Sequence, residues 1–261
     1  MEILAAYLVL GAFAGTVAGL LGVGGGLVIV PVLALLFSAQ GMSGDVFMHM
    51  AVGTSLATIV VTAVSSAAAH HRRGAVDWPV FWRLSPGIVA GALLGSAIAG
   101  VLPSSLLRGF FGVFEIGVAI QMAFGARPAP HRQLPGATGT ALAGFLIGIV
   151  SAIVGIGGGT MTVPFLVWCN VGMRRAVATS AACGLPIALA GAVGFTVAGW
   201  NAASLPAMST GYVYWPAVAG IVIASILFAP LGARLAHTLP VPLLKRFFAI
   251  FLAALGLRML I

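Results

Sequence analysis

The sequence predicts an all-α polytopic membrane protein made of two inverted five-segment repeats, each with a broken, half-length, glycine-rich helix. Three observations carry this. Of the 261 residues, 61% are apolar and only 6% are charged, whereas a soluble domain carries about 25% charged residues. The apolar residues fall in long uninterrupted runs, as membrane helices require, and not in the alternating pattern of a transmembrane barrel. One glycine-rich phrase also occurs twice, GAFAGTVAGLLGVGGGLVIVP at 11–31 and GFLIGIVSAIVGIGGGTMTVP at 144–164, at a constant shift of 133 residues.

Apolar segments are expected at about 3–22, 27–38, 50–69, 79–101 and 106–124 in the first half. The first resembles a secretory leader in apolarity, but Met1-Glu2 supplies no basic start and the glycine phrase runs through its end, so a permanent helix is expected. Segment 27–38 is too short to span a bilayer, which takes about 20 residues. It follows Gly24, Gly25 and Gly26 directly, so the chain is expected to run as a long helix, a break at the triplet and a half-helix. Residues 125–135 (GARPAPHRQLP) combine proline with charge and form the expected cytoplasmic linker between a first repeat, 1–124, and a second, 136–261. The second repeat gives segments at about 136–155, 160–169, 176–199, 212–236 and 243–260, and 160–169 is again short and follows Gly157, Gly158 and Gly159.

The duplication covers the whole half. Ala51-Val52-Gly53-Thr54-Ser55 matches Ala176-Val177-Ala178-Thr179-Ser180, Trp78-Pro79 matches Trp215-Pro216, and Leu94-Gly95 matches Leu231-Gly232. Leu102-Pro103, Leu106-Leu107 and Phe110-Phe111 match Leu239-Pro240, Leu243-Leu244 and Phe247-Phe248.

Five segments per half is an odd number, so the second copy enters the membrane upside down. With the N-terminus outside, the inner loops hold ten basic residues (Arg72, Arg73, Arg83, Arg127, Arg132, Arg174, Arg175, Arg234, Lys245 and Arg246), and the outer side holds two, Arg108 and Arg258. That bias favours an N-out, C-out orientation. Inverted repeats with interrupted helices are a transporter architecture, with the substrate near the midplane.

The formal charge of +8 is explained by these short inner loops, and no basic domain exists to hold a nucleic-acid backbone. Cys169 and Cys183 are fourteen apart in apolar context, without metal-ligand spacing, and read as buried small residues. No cofactor motif occurs, and a membrane enzyme would need clustered nucleophile, base or metal ligands that the apolar segments lack. Apolar lipid-facing surfaces are compatible with a homo-oligomer as well as a monomer.

The candidate site is the pair of triplets. A half-helix starting at Leu27 or Thr160 presents unpaired N–H groups and a positive dipole end at its break, and two such ends facing one cavity make an anion site without a basic side chain. The hydroxyls of Thr54, Ser55, Thr179 and Ser180 are candidate donors to the same anion, or back-bonding and capping groups. Gly11, Gly15 and Gly19, and Gly144 and Gly148, spaced four apart, read as packing positions. Glu115 is an intramembrane carboxylate whose counterpart is Leu252, and a coupling proton is its candidate role. His49 falls in an outer loop and His70 and His71 at the inner side, where solvation is expected, and Tyr212 and Tyr214 are interfacial or gating candidates.

The paired GxGGG…VP phrases, the AV[GA]TS phrases and Pro230-Leu231-Gly232-Ala233-Arg234-Leu235 resemble the TauE/SafE family, also called the toluene-sulfonate uptake permease family, across essentially the whole chain. The resemblance implies a bacterial inner-membrane permease for a small sulfur-containing or organic anion such as sulfite, thiosulfate or a sulfonate. Ala152, where the first copy has Gly19, departs from the shared pattern.

Overall fold

The computed structural model describes residues 2–21, 25–42, 44–124, 133–202, 205–235 and 241–261. Gly24 and most of the 125–135 linker lie outside the described residues. Ten helices follow in chain order: α1 Glu2–Leu21, α2 Gly26–Ala39, α3 Phe47–Arg72, α4 Trp78–Val101, α5 Ser104–Phe124, α6 Ala137–Val154, α7 Gly159–Trp168, α8 Met173–Ala198, α9 Trp215–Leu235 and α10 Val241–Leu260. The protein is an all-α polytopic membrane protein. Among the described residues, α3, α4, α5, α6 and α8 are long and apolar enough to cross a membrane. The half-helices α2 and α7 have 14 and 10 residues. At 1.5 Å per residue they reach about 21 and 15 Å, well short of a hydrocarbon core of about 30 Å.

The second break has a local cause. α6 ends because Gly155 adopts φ +77°, where its N–H and that of Ile156 both reach the Ser151 carbonyl, at 2.9 and 3.0 Å. This left-handed cap terminates a helix and favours glycine. Gly157 and Gly158 carry the chain to α7, and neither α2 nor α7 has a side-chain cap on its first N–H groups. Elsewhere capping is conventional: Asp77 accepts from Val80 N–H at the start of α4, with Pro79 in its first turn.

The packing partners repeat when the halves are exchanged. α1 lies against α9 and α6 against α4; α2 lies against α3 and α7 against α8; α3 crosses α8, and α5 crosses α10. The glycine contacts repeat in the same way. Gly11 and Gly15 of α1 meet the backbone of Ile221 and Ser225 on α9, and Gly144 and Gly148 of α6 meet the backbone of Leu84 and Ile88 on α4. A Cβ at Gly15 would lie 2.7 Å from Ser225 Cα, and one at Gly148 would lie 2.9 Å from Ala92 N. Such close approach of backbones is how membrane helices associate without a hydrophobic driving force between them. α3 is the innermost long helix, with 72% of its apolar window buried against 33–44% for the other four.

Two expectations are corrected. His49 is not in a solvated loop. α3 begins at Phe47, and His49 is only 3% exposed, with Nε2 3.0 Å from the carbonyls of Ala99 and Leu102 and Nδ1 3.2 Å from Ser104 Oγ. The segment at 212–236 begins as a hairpin, not a helix. Ser209–Thr210 (β1) pairs antiparallel with Val213–Tyr214 (β2) around Gly211, at φ +54°, where a Cβ would collide with the Thr196 carbonyl. The hairpin delivers the Tyr212 ring onto His49, with 4.9 Å between ring centroids, and burial pushes the Tyr212 phenol pKa up.

Candidate functional site

The two glycine breaks adjoin at the centre of the bundle. A Cβ at Gly26 would lie 2.7 Å from the Gly155 carbonyl and 2.9 Å from Ile156 Cα. The Ile59 side chain of α3 covers both breaks, 3.1 Å from the Gly26 Cβ position and 3.5 Å from that of Gly157. Beside this junction lies a cavity of about 340 Å³. Gly25, Gly157, Gly158, Gly159 and Ser180 line it at the junction, and α1, α3 and α9 line it with small and apolar residues such as Ala14, Ala63 and Ala229. No Lys, Arg, His, Asp or Glu is among the described lining residues.

The hydroxyls around the junction divide into two groups. Thr54 and Thr179 do not line the cavity. Thr54 Oγ1 accepts from the Tyr214 N–H at 3.0 Å and Thr179 Oγ1 from the Asp77 N–H at 2.9 Å. These are equivalent bonds in the two copies, each tying the central helix of one half to the start of α9 or α4 in the other. Ser55 Oγ donates to the Gly155 carbonyl at 2.9 Å and so closes the second break from the first half. These three hydroxyls are engaged in holding the fold.

Ser180 is different. It is 1% exposed, lines the cavity, and its hydroxyl has no protein partner. Thr160 and Thr162 on α7 and Ser151 on α6 are also buried with unpartnered hydroxyls. Thr162 Oγ1 lies 3.3 Å from the Cβ position of Gly158, and Gly158 itself rests on the Ser180 carbonyl, so these groups surround the α7 N-terminus. A buried hydroxyl without a partner costs roughly 1–3 kcal/mol, and Ser180, Thr160 and Thr162 place three of them at the start of α7, with Ser180 in the cavity wall. By the repeat, Thr160, Thr162 and Ser151 correspond to Leu27, Ile29 and Ala18, so the first break has none of them. Among the described residues no group of His, Cys, Asp or Glu is arranged to hold a metal ion.

Residues 7–259 match the family model described as sulfite exporter TauE/SafE. The chain belongs to the TauE/SafE family. A probable membrane transporter protein of Haemophilus influenzae is 36% identical over 254 residues, covering 97% of this chain and 96% of its own. Another from Methanocaldococcus jannaschii is 27% identical, covering 97% and 94%. A third, from Bacillus subtilis, is 31% identical over 60% of this chain and 64% of its own. No solved structure matches. As a family member the protein is a membrane transporter.

Proposed function

We propose that the protein is a secondary transporter for a small sulfur-containing or organic oxyanion, of the sulfite, thiosulfate or sulfonate class, bound at the second glycine break. The observation that carries this is Ser180. An unpartnered hydroxyl lies buried in the wall of a cavity at the N-terminus of a half-helix, with no basic side chain among the described lining residues. The unpaired N–H groups of α7 and the Ser180 hydroxyl beside them suit an oxyanion that is bound and then released, since they supply donors without a fixed opposite charge, and the Thr160 and Thr162 hydroxyls, which do not line the cavity, stand in the first turn of the same helix. Gly25 and Gly26 bring the first break against the same junction, and the remaining apolar wall accommodates the organic part of a sulfonate. The name of the matched family agrees with an anion of this chemistry.

The inverted repeat gives the mechanism. The ten-to-two charge bias favours N-out, C-out insertion in a bacterial inner membrane, with 1–124 and 136–261 as opposed copies. The cavity then faces the cytoplasm, along the end of α3 that leads to Arg72 and Arg73. Its counterpart on the opposite side is filled. Ser66 and Ala69 line the cavity, whereas at the equivalent Gly191 and Gly194 a Cβ would lie 2.8 Å from Leu56 Cδ1 or collide with Ser96 Oγ. One side open and the equivalent side packed supports a carrier that alternates over a channel that is continuously open. In proteoliposomes, counterflow of labelled sulfite, thiosulfate or methanesulfonate is expected for at least one of the three. Flux of all three without exchange, or no flux of any, contradicts the carrier reading.

A further inference from the structure

The cavity accounts for Ser180 at the second break but not for Glu115. This residue is fully buried in α5, and neither carboxyl oxygen has a protein partner. It lies where α5 crosses α10. A Cβ at Gly112 would lie 2.9 Å from the Gly256 carbonyl, and one at Gly256 would lie 2.9 Å from Ile116 Cγ1. By the repeat, Gly112 corresponds to Ala249 and Gly256 to Ala119, and both alanines are buried. Glu115 and its counterpart Leu252, also fully buried, therefore sit midway between the two equivalent contacts, at the centre of the crossing.

Among the described residues, the charged groups on the neighbouring elements do not reach it. On α10, Lys245 stands about two helical turns along the chain from Leu252, Arg246 and Arg258 are exposed, and on α5 itself Arg108 is half-buried one helical turn or more away. On α3, His49 is bonded at the Ser104 end, and His70, His71 and Arg72 lie at the opposite end. α6 carries no titratable residue. An unpaired carboxylate in this setting would be severely disfavoured, whereas the neutral acid loses only its hydrogen bonds.

The geometry points to Glu115 as a proton-binding site that ties protonation to the direction the transporter faces. With the proton on, the α5–α10 crossing closes over the acid and the cavity stands open beside Ser66. With the proton lost to water, the carboxylate has to be hydrated, so the crossing loosens and the other facing arrangement is favoured. This rests on the alternating-access reading above and adds to it a role for one carboxyl that the second repeat replaces with Leu252.

The test needs no substrate. A fluorophore on Ser66→Cys reports cavity access through quenching by aqueous iodide, with both native cysteines buried. In otherwise wild-type protein, quenching is expected to fall as pH is raised. In Glu115→Gln, which mimics the neutral acid, it is expected to stay high at every pH. Glu115→Leu, the residue the other repeat uses, is expected to give the same flat profile with a raised thermal midpoint, and it decides the matter if the glutamine variant folds poorly. Identical pH profiles in wild type and variants, flat or sloping, overturn the proposal. Since no anion is present, this proposal and the anion reading fail separately.

Discussion

The two glycine breaks share a backbone plan and differ in what surrounds it. After Gly26 the chain continues Leu27, Val28 and Ile29; after Gly159 it continues Thr160, Met161 and Thr162. The equivalent serines diverge as well: Ser55 donates to the Gly155 carbonyl, whereas Ser180 has no partner and lines the cavity. Duplication therefore supplies two helix ends at one junction, and side-chain divergence equips only one of them with free donors. On the proposed carrier reading, the symmetric frame serves alternation, and the second copy binds while the first supplies a close-packed wall.

The largest expected effect comes from filling the second break. In Gly158→Leu the new Cβ would fall 2.8 Å from the Ser180 carbonyl, and backbone cannot move aside cheaply. Anion binding is expected to vanish while far-ultraviolet circular dichroism keeps its helical signal. In Gly25→Leu the nearest atom is the Ile29 Cδ1 tip at 3.0 Å, which can rotate away, so a partial loss of affinity is expected from the same titration. Equal losses in the two variants would erase the asymmetry.

Next come the serines. Ser180→Ala removes a donor to an anion, worth roughly 1.5–3 kcal/mol, so affinity measured by calorimetry is expected to fall roughly 10- to 100-fold with little change in stability. Ser55→Ala is expected to do the reverse, lowering stability by about 1 kcal/mol through its lost bond to Gly155. The threonines should separate in the same manner. Thr160→Val and Thr162→Val are expected to weaken binding a few-fold each. Thr54→Val and Thr179→Val orphan the half-buried N–H groups of Tyr214 and Asp77 and are expected to cost about 1 kcal/mol of stability each. That last pair should match within error, since the two bonds are equivalents; unequal thermal midpoints would show that the halves differ in the frame as well as in the site.

Much of this was legible in the sequence because membrane burial leaves few choices. The segments, the breaks after the glycine triplets and the packing role of Gly11, Gly15, Gly144 and Gly148 follow from length, spacing and the lack of water to satisfy backbone. The roles of the hydroxyls were not legible. A repeated Thr-Ser pair looks the same whether it binds a ligand or ties two halves together, and only the position of the Tyr214 and Asp77 N–H groups distinguishes these. Thr160 and Thr162 were present in the second glycine phrase all along. Comparing the phrases by their differences, TMT against LVI, would have singled them out. The 209–214 hairpin was hidden by its apolar composition, which joins smoothly onto α9.

The proposed oxyanion site lies at the second break and not at the first alone. The most direct measurement is a thermal-shift series with sulfite, thiosulfate, sulfate, methanesulfonate and acetate on purified wild type, Gly25→Leu and Gly158→Leu, because a ligand that binds the folded state raises its midpoint by mass action. At least one sulfur oxyanion is expected to stabilise wild type strongly, Gly25→Leu less, and Gly158→Leu not at all. Stabilisation of Gly158→Leu equal to wild type, or of wild type by none of these anions, would rule out an oxyanion site at the second break.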